Sequence, residues 1–137
     1  MINEAADFAS ECEATYALLK SLDDADYGRE TQFKGWAIND IMQHLYMGDI
    51  RAHMTLTDPD AYAQVKAERQ TVVATTTAEK LAIQRAAAGN IEGRELLEAW
   101  RVSAAKTAAA YAEANPKQRV QWAGPDMSAR SSITARL

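Results

Sequence analysis

The sequence predicts an all-α domain: a four-helix bundle in which a long crossover joins the second and third long helices, and the fourth helix is cut short. Three observations carry this. Alanine is abundant, whereas the 137 residues include only 6 glycines and 3 prolines, a balance that favours helix over sheet. Apolar residues recur at steps of 3 and 4 through three long segments, the spacing of a helix that buries one face. The one β-branched run, Thr71-Val72-Val73-Ala74-Thr75-Thr76-Thr77, has no partner strand, so it reads as a loop or helix end and no sheet is expected. The length suits a single domain over 1–137, enough to bury roughly two-thirds of the unfolded surface.

The first helix is predicted over 3–23. Ala5, Phe8, Cys12, Thr15, Leu19 and Leu22 form its inner stripe, Asn3 is its N-cap, and Asp23-Asp24-Ala25-Asp26 stops it. Cys12 lies within the stripe and reads as a small buried hydrophobe, the alternative being a reactive thiol. The second helix is predicted over 37–56, with Ile38, Ile41, Leu45, Gly48 and Ala52 as its stripe. Asp58 caps a short helix that starts at Pro59 and carries Tyr62 and Val65 inward. Thr76 with Glu79 three residues on is a capping box for a further helix that Gly89-Asn90 closes near Ala88. This crossover of some 35 residues is too long for an up-down hairpin. The third long helix spans 92–114, roughly 35 Å, with Leu97, Trp100, Ala104, Thr107 and Tyr111 inward. Ser128 caps a fourth, whose ten residues to Leu137 cover only about 15 Å. A helix so short cannot cover neighbours twice its length. The expectation is therefore a piece of a longer protein, or a core completed by a second copy.

Charge and patterning exclude several functions. Fifteen basic against 19 acidic residues give −4, with no basic block, so nucleic-acid binding has no support. No apolar run is long enough to span a membrane, and no signal segment opens the chain. A single cysteine forms no internal disulfide, which suits a cytoplasmic protein.

The stretch Gly35-Trp36-Ala37-Ile38-Asn39-Asp40-Ile41-Met42-Gln43-His44-Leu45 holds the candidate site residues. His44 falls at the edge of the apolar stripe, placed either to reach inward to a metal or to stay outside, with Asp40 one turn behind it. His53 is nine residues on, about 900° around the helix, so the two histidines cannot share a metal. His44 is expected to face inward and His53 the solvent.

Three segments appear in order: the stretch above, Glu95-Leu96-Leu97-Glu98-Ala99-Trp100-Arg101, and Trp122-Ala123-Gly124-Pro125-Asp126-Met127-Ser128-Ala129-Arg130-Ser131. Together they resemble the N-terminal metal-binding domain of mycothiol-dependent maleylpyruvate isomerases, within the DinB-like four-helix bundles. The resemblance implies a divalent metal, zinc first among the candidates, held by three protein ligands. His44 matches the first; the other two, a glutamate and a histidine one turn apart on the fourth helix, have no counterpart before Leu137. The metal is thus expected to be absent or weakly held in this chain and present in a longer form. There it would activate a small thiol such as mycothiol toward an electrophilic small-molecule substrate. Asp40 is a candidate to orient His44, or else serves the helix N-terminus. Trp36 is a candidate for the mouth of the site, or packs on the core. Arg130 is a candidate to meet a substrate carboxylate, or only forms a salt bridge. The alternative function is a non-catalytic bundle that self-associates with an incomplete metal site; a homodimer is expected in either case.

Overall fold

The computed structural model describes residues 1–137 as six helices and one minimal hairpin. In chain order these are α1 (Glu4–Leu19), α2 (Ile38–Thr57), α3 (Pro59–Gln70), α4 (Thr77–Ala87), α5 (Gly93–Glu113), β1 (Arg119–Val120), β2 (Met127–Ser128) and α6 (Ala129–Thr134). The all-α expectation is met, with one exception. β1 and β2 pair antiparallel, Arg119 opposite Ser128 and Val120 opposite Met127. Val120 is buried, so the pair anchors the hairpin to the core and sets the entry angle of α6. No helix is long and apolar enough to cross a membrane.

The long helices α2 and α5 make the most extensive contact, α1 lies along α5, and α6 closes the end between α1 and α2. The core holds Phe8, Tyr27, Leu96, Leu97, Trp100 and Tyr111, joined by Ile133 from α6. The α1 stripe lies inward as predicted, but the helix ends at Leu19 and Asn3 does not cap it. Asn3 is already helical, and it is Ile2 that is fixed there: buried, with its N–H donating to the Ala112 carbonyl at 3.2 Å. At the other end Tyr27, from a 3-10 turn over Asp24–Gly28, donates its hydroxyl to the Leu19 carbonyl at 3.0 Å. That bond takes a terminal carbonyl the helix leaves without a partner.

The predicted caps of the crossover form. The Asp58 carboxylate accepts the Ala61 N–H, and the Thr76 hydroxyl accepts the Glu79 N–H. Glu79 reaches back one residue further than expected, to the Thr75 N–H. Between α3 and α4 the β-branched run is loop. The start of α5 is capped from two other elements: Asn39 accepts the Gly93 N–H at 2.8 Å and Asp24 the Arg94 N–H at 3.0 Å. Gly93 has a φ of +63°, and a Cβ there would collide with the Asp24 carboxylate, so both backbone and space require glycine.

One buried carboxylate ties three helices together. Asp49 on α2 is 2% exposed; it accepts the Trp100 indole N–H of α5 at 3.0 Å and the Arg136 Nε–H, just past α6, at 2.5 Å. Gly48 makes the second bond possible, because a Cβ there would stand 2.5 Å from the Arg136 guanidinium. Two hydroxyls of α5 bind carbonyls of α2 alongside, Thr107 to Asp49 and Tyr111 to Ala52. Cys12 lines the same interior recess as Asp49 and Arg136. Burial, and then the Asp49 charge, push its thiol up to about 12. It is a packing residue, with almost no thiolate at neutral pH.

Three outcomes follow from this arrangement. Asp49→Ala leaves a mostly buried guanidinium and an indole N–H without an acceptor, and should cost about 3 kcal/mol in urea unfolding. Burial also raises the Asp49 carboxyl above its ordinary value, outweighing Arg136 and Trp100. A raised folded pKa gives a contribution present below the unfolded value and lost as pH rises through the folded one. The protein should therefore gain stability relative to Asp49→Asn as pH falls from neutrality through that range; a flat difference would show that Asp49 does not titrate there. For Cys12, iodoacetamide at pH 8.5 should modify the native chain far more slowly than the urea-unfolded chain, whose thiol has an ordinary pKa.

Candidate functional site

The loop before α2 sets the position of Trp36 against His44. Lys34 and Gly35 adopt φ of 53° and 70°, turning the chain so that Trp36 folds back toward α2. The Thr31 hydroxyl and N–H both donate to the Trp36 carbonyl, at 2.8 Å each, and close the loop. Trp36 meets Phe33 edge-on at 5.3 Å between ring centroids, and meets His44 at 5.8 Å with the rings inclined by 66°. Its indole N–H is buried without a partner.

His44 is exposed and His53 half-buried, the reverse of the sequence expectation. The reason is that α2 is packed on more than one side: α5 covers one face, α3 and α4 others, and short α6 only part of the next. The buried surface of α2 therefore takes in Asp40, Met42, Gln43 and Asp49 as well as Ala52, rather than the single stripe the spacing suggested. His44 is left at the mouth of a groove of about 370 Å³ between α2, α3, the hairpin and α6.

Asp40 does not approach His44 as an orienting group. Its two carboxylate oxygens are occupied: Oδ2 accepts the Ala37 N–H at 2.9 Å, and Oδ1 accepts Arg85 Nη2 and Nε at 3.0 and 3.2 Å. Its carbonyl takes Gln84, so Asp40 starts α2 and holds α4 against it. Arg130 lies outside the groove, with its Nε 3.6 Å from Glu4 on α1. Of the four candidates, the structure brings together only His44 and Trp36.

The groove contains residues that the sequence reading did not name as site candidates: Arg51, Thr55, Tyr62, Arg69, Trp122 and Arg136. A signal was present for part of this set, since His44, Gly48, Arg51 and Thr55 follow at steps of 4, 3 and 4 and so share one helical face. Arg51 is half-buried and its Nε–H is buried without an acceptor. Burial, and then the nearby Arg69 charge, pull its guanidinium below its ordinary pKa. Tyr62 is buried beside both arginines; burial raises its phenol, and Arg69 and Arg51 oppose the shift. As to a metal, His44 is the only histidine, cysteine or carboxylate side chain among the groove residues, and nowhere does the chain gather three such groups. One imidazole does not hold a divalent ion, so the residues present do not fit a complete metal centre.

Comparison with known proteins places the fold. Two crystal structures of mycothiol-dependent maleylpyruvate isomerase, one of them a histidine-to-alanine mutant, superpose on the chain with a TM-score of 0.67 at 16% identity. Each match covers 99% of this chain and 56% of the other, so the fold is shared and the chain spans little more than half the length of those proteins. No curated protein matches it in sequence. A family model described as the mycothiol maleylpyruvate isomerase N-terminal domain matches residues 8–137. Over residues 8–137, this chain belongs to that family of N-terminal domains.

Proposed function

We propose that this domain serves a thiol-dependent isomerisation or group transfer on a small electrophilic substrate, and that the reaction site is the groove at His44. The observation that carries the reading is the placement of His44. Trp36 meets its ring, and His44 lines a groove that also contains the buried Thr55 and Tyr62. Family membership supplies the thiol and the isomerase class. In a protein that brings two more ligands to this groove, His44 would be one of three donors to a divalent ion, zinc first, and that ion would supply an ionised thiol near neutrality. What this chain's own residues do is more limited. They hold the imidazole at the mouth, line the groove with cations, and close its inner wall with Arg136.

The test is a zinc titration of the 137-residue chain beside a longer form that carries further candidate ligands. The short chain should bind weakly, the longer form one ion per chain, and His44→Ala should abolish the tight site. Sub-micromolar, stoichiometric uptake by the short chain that survives His44→Ala would move the site elsewhere.

A second reading, a self-associating module, has an observation of its own. A shallow apolar channel lies between α2 and α5, lined in part by Tyr46, Ile50, Met54 and Val102, the last 55% exposed. On α5, Glu98, Val102 and Lys106 follow at intervals of four along this channel. An antiparallel second copy would set Glu98 against the partner's Lys106 on both sides of a central valine pair, the self-complementarity a two-fold interface needs. Light scattering should then find a dimer that Lys106→Glu dissociates and that Glu98→Lys with Lys106→Glu restores. A monomer at all concentrations would remove this reading and leave the first intact.

A further inference from the structure

The groove beside His44 carries positive charge that the chain only partly neutralises. Arg51, Arg69 and Arg136 line it, and Lys66 lines a recess of about 200 Å³ that adjoins it at Tyr62 and Arg69. No aspartate or glutamate lines either space, in a chain whose net charge is −4. Arg136 is paired with Asp49. Arg51, Arg69 and Lys66 take part in none of the ion pairs, which elsewhere engage Arg29, Arg85, Arg101 and Arg130. Arg51 also keeps a buried Nε–H with no acceptor. Two guanidinium groups near enough to repel, one of them half-desolvated, form an arrangement that folding alone disfavours.

We propose that Arg51 and Arg69, with the Tyr62 hydroxyl beside them, form an anion subsite that takes the carboxylate of a small organic acid. A planar carboxylate matches the guanidinium fork and accepts two parallel N–H bonds; here it would supply the acceptor that Arg51 lacks and relieve the repulsion between the two cations. The groove holds about 370 Å³, which suits a small acid rather than a polymer. Trp122, 45% exposed at the groove wall, offers an apolar surface to the carbon chain of such a ligand. The role of this subsite in catalysis rests on reading the groove as the reaction site: it would hold the acid group of the substrate while the reacting carbon faces His44. The anion binding itself does not depend on a metal.

The experiment is a titration of the ¹⁵N-labelled 137-residue chain at low ionic strength with succinate, inorganic phosphate and neutral succinamide. Arginine Nε–H and tryptophan indole signals are followed. Succinate should shift the Arg51 Nε–H and the Trp122 indole saturably, and succinamide should shift neither. Arg69→Gln, a change at an exposed position, should weaken succinate at least tenfold. Arg51→Lys, which keeps the charge and removes the fork, should weaken it severalfold. Lys20→Gln, just past the end of α1 and outside the groove, should change nothing. Phosphate binding tighter than succinate would overturn the carboxylate assignment in favour of a phosphate monoester. Shifts that succinamide reproduces, or that Arg69→Gln leaves unchanged, would overturn the subsite altogether. His44→Ala separates the two readings. If it abolishes metal uptake by a longer form and spares succinate binding, both stand. If succinate binds and no form takes up metal through His44, the subsite stands and the reaction site falls. If metal binds through His44 and succinate does not bind, the reverse holds.

Discussion

The Asp49 carboxylate sets the geometry of both the core and the groove. It sits on α2, accepts the Trp100 indole of α5 and draws in Arg136 from the end of α6. Without it, α6 has only Ala129 and Ile133 buried against the bundle, a small apolar contact for six residues. With it, the chain past α6 crosses over Gly48 and seals the interior from the space beside His44. The contact is costly, since burial of the carboxylate outweighs its two partners and raises its pKa. Apolar residues of similar volume would serve stability as well or better. What the ion pair contributes is position: it places a short helix at one register on a long one, and with it one wall of the groove.

The other charges divide into two groups by what they face. Asp40 is buried and saturated by the Ala37 N–H and by Arg85, so the crossover helix α4 is held to the start of α2. Arg101 meets Glu13 through two bonds and stacks on Tyr16 at 3.9 Å, joining α5 to α1 along the surface. Such exposed pairs are screened by solvent and mainly fix orientation. Arg51 and Arg69 are different. They line one groove around a buried tyrosine, and no acid lines that groove. Charges that stability does not need and folding does not satisfy are a mark of binding sites.

The helical fold was legible because its signals are local. The α1 stripe, the Asp58-Pro59 start of α3, the Thr76 cap and the Gly89-Asn90 stop all depend on residues within a few positions of each other, and the structure contains each of them. Expectations failed where a distant element supplied the answer. Asn3 is not a cap, since packing of Ile2 on α5 carries the helix back through it. The hairpin of β1 and β2 was missed because four residues carry no detectable period, and what holds them is the burial of Val120.

Local periodicity and capping chemistry thus determined the helices and their order, and three motif segments carried the resemblance to the family, all legible in the sequence. The tertiary structure alone decided which way His44 faces and what surrounds it. An amphipathic stripe predicts one buried side, but α2 is the central helix and is covered on several sides, so burial along it is set by its neighbours rather than by its own period. Asp40 was committed by Arg85, 45 positions away, to holding a helix instead of a histidine. Arg51 and Arg69 stand 18 residues apart with no motif to join them, and they share a groove only because α3 turns back across α2 after Pro59.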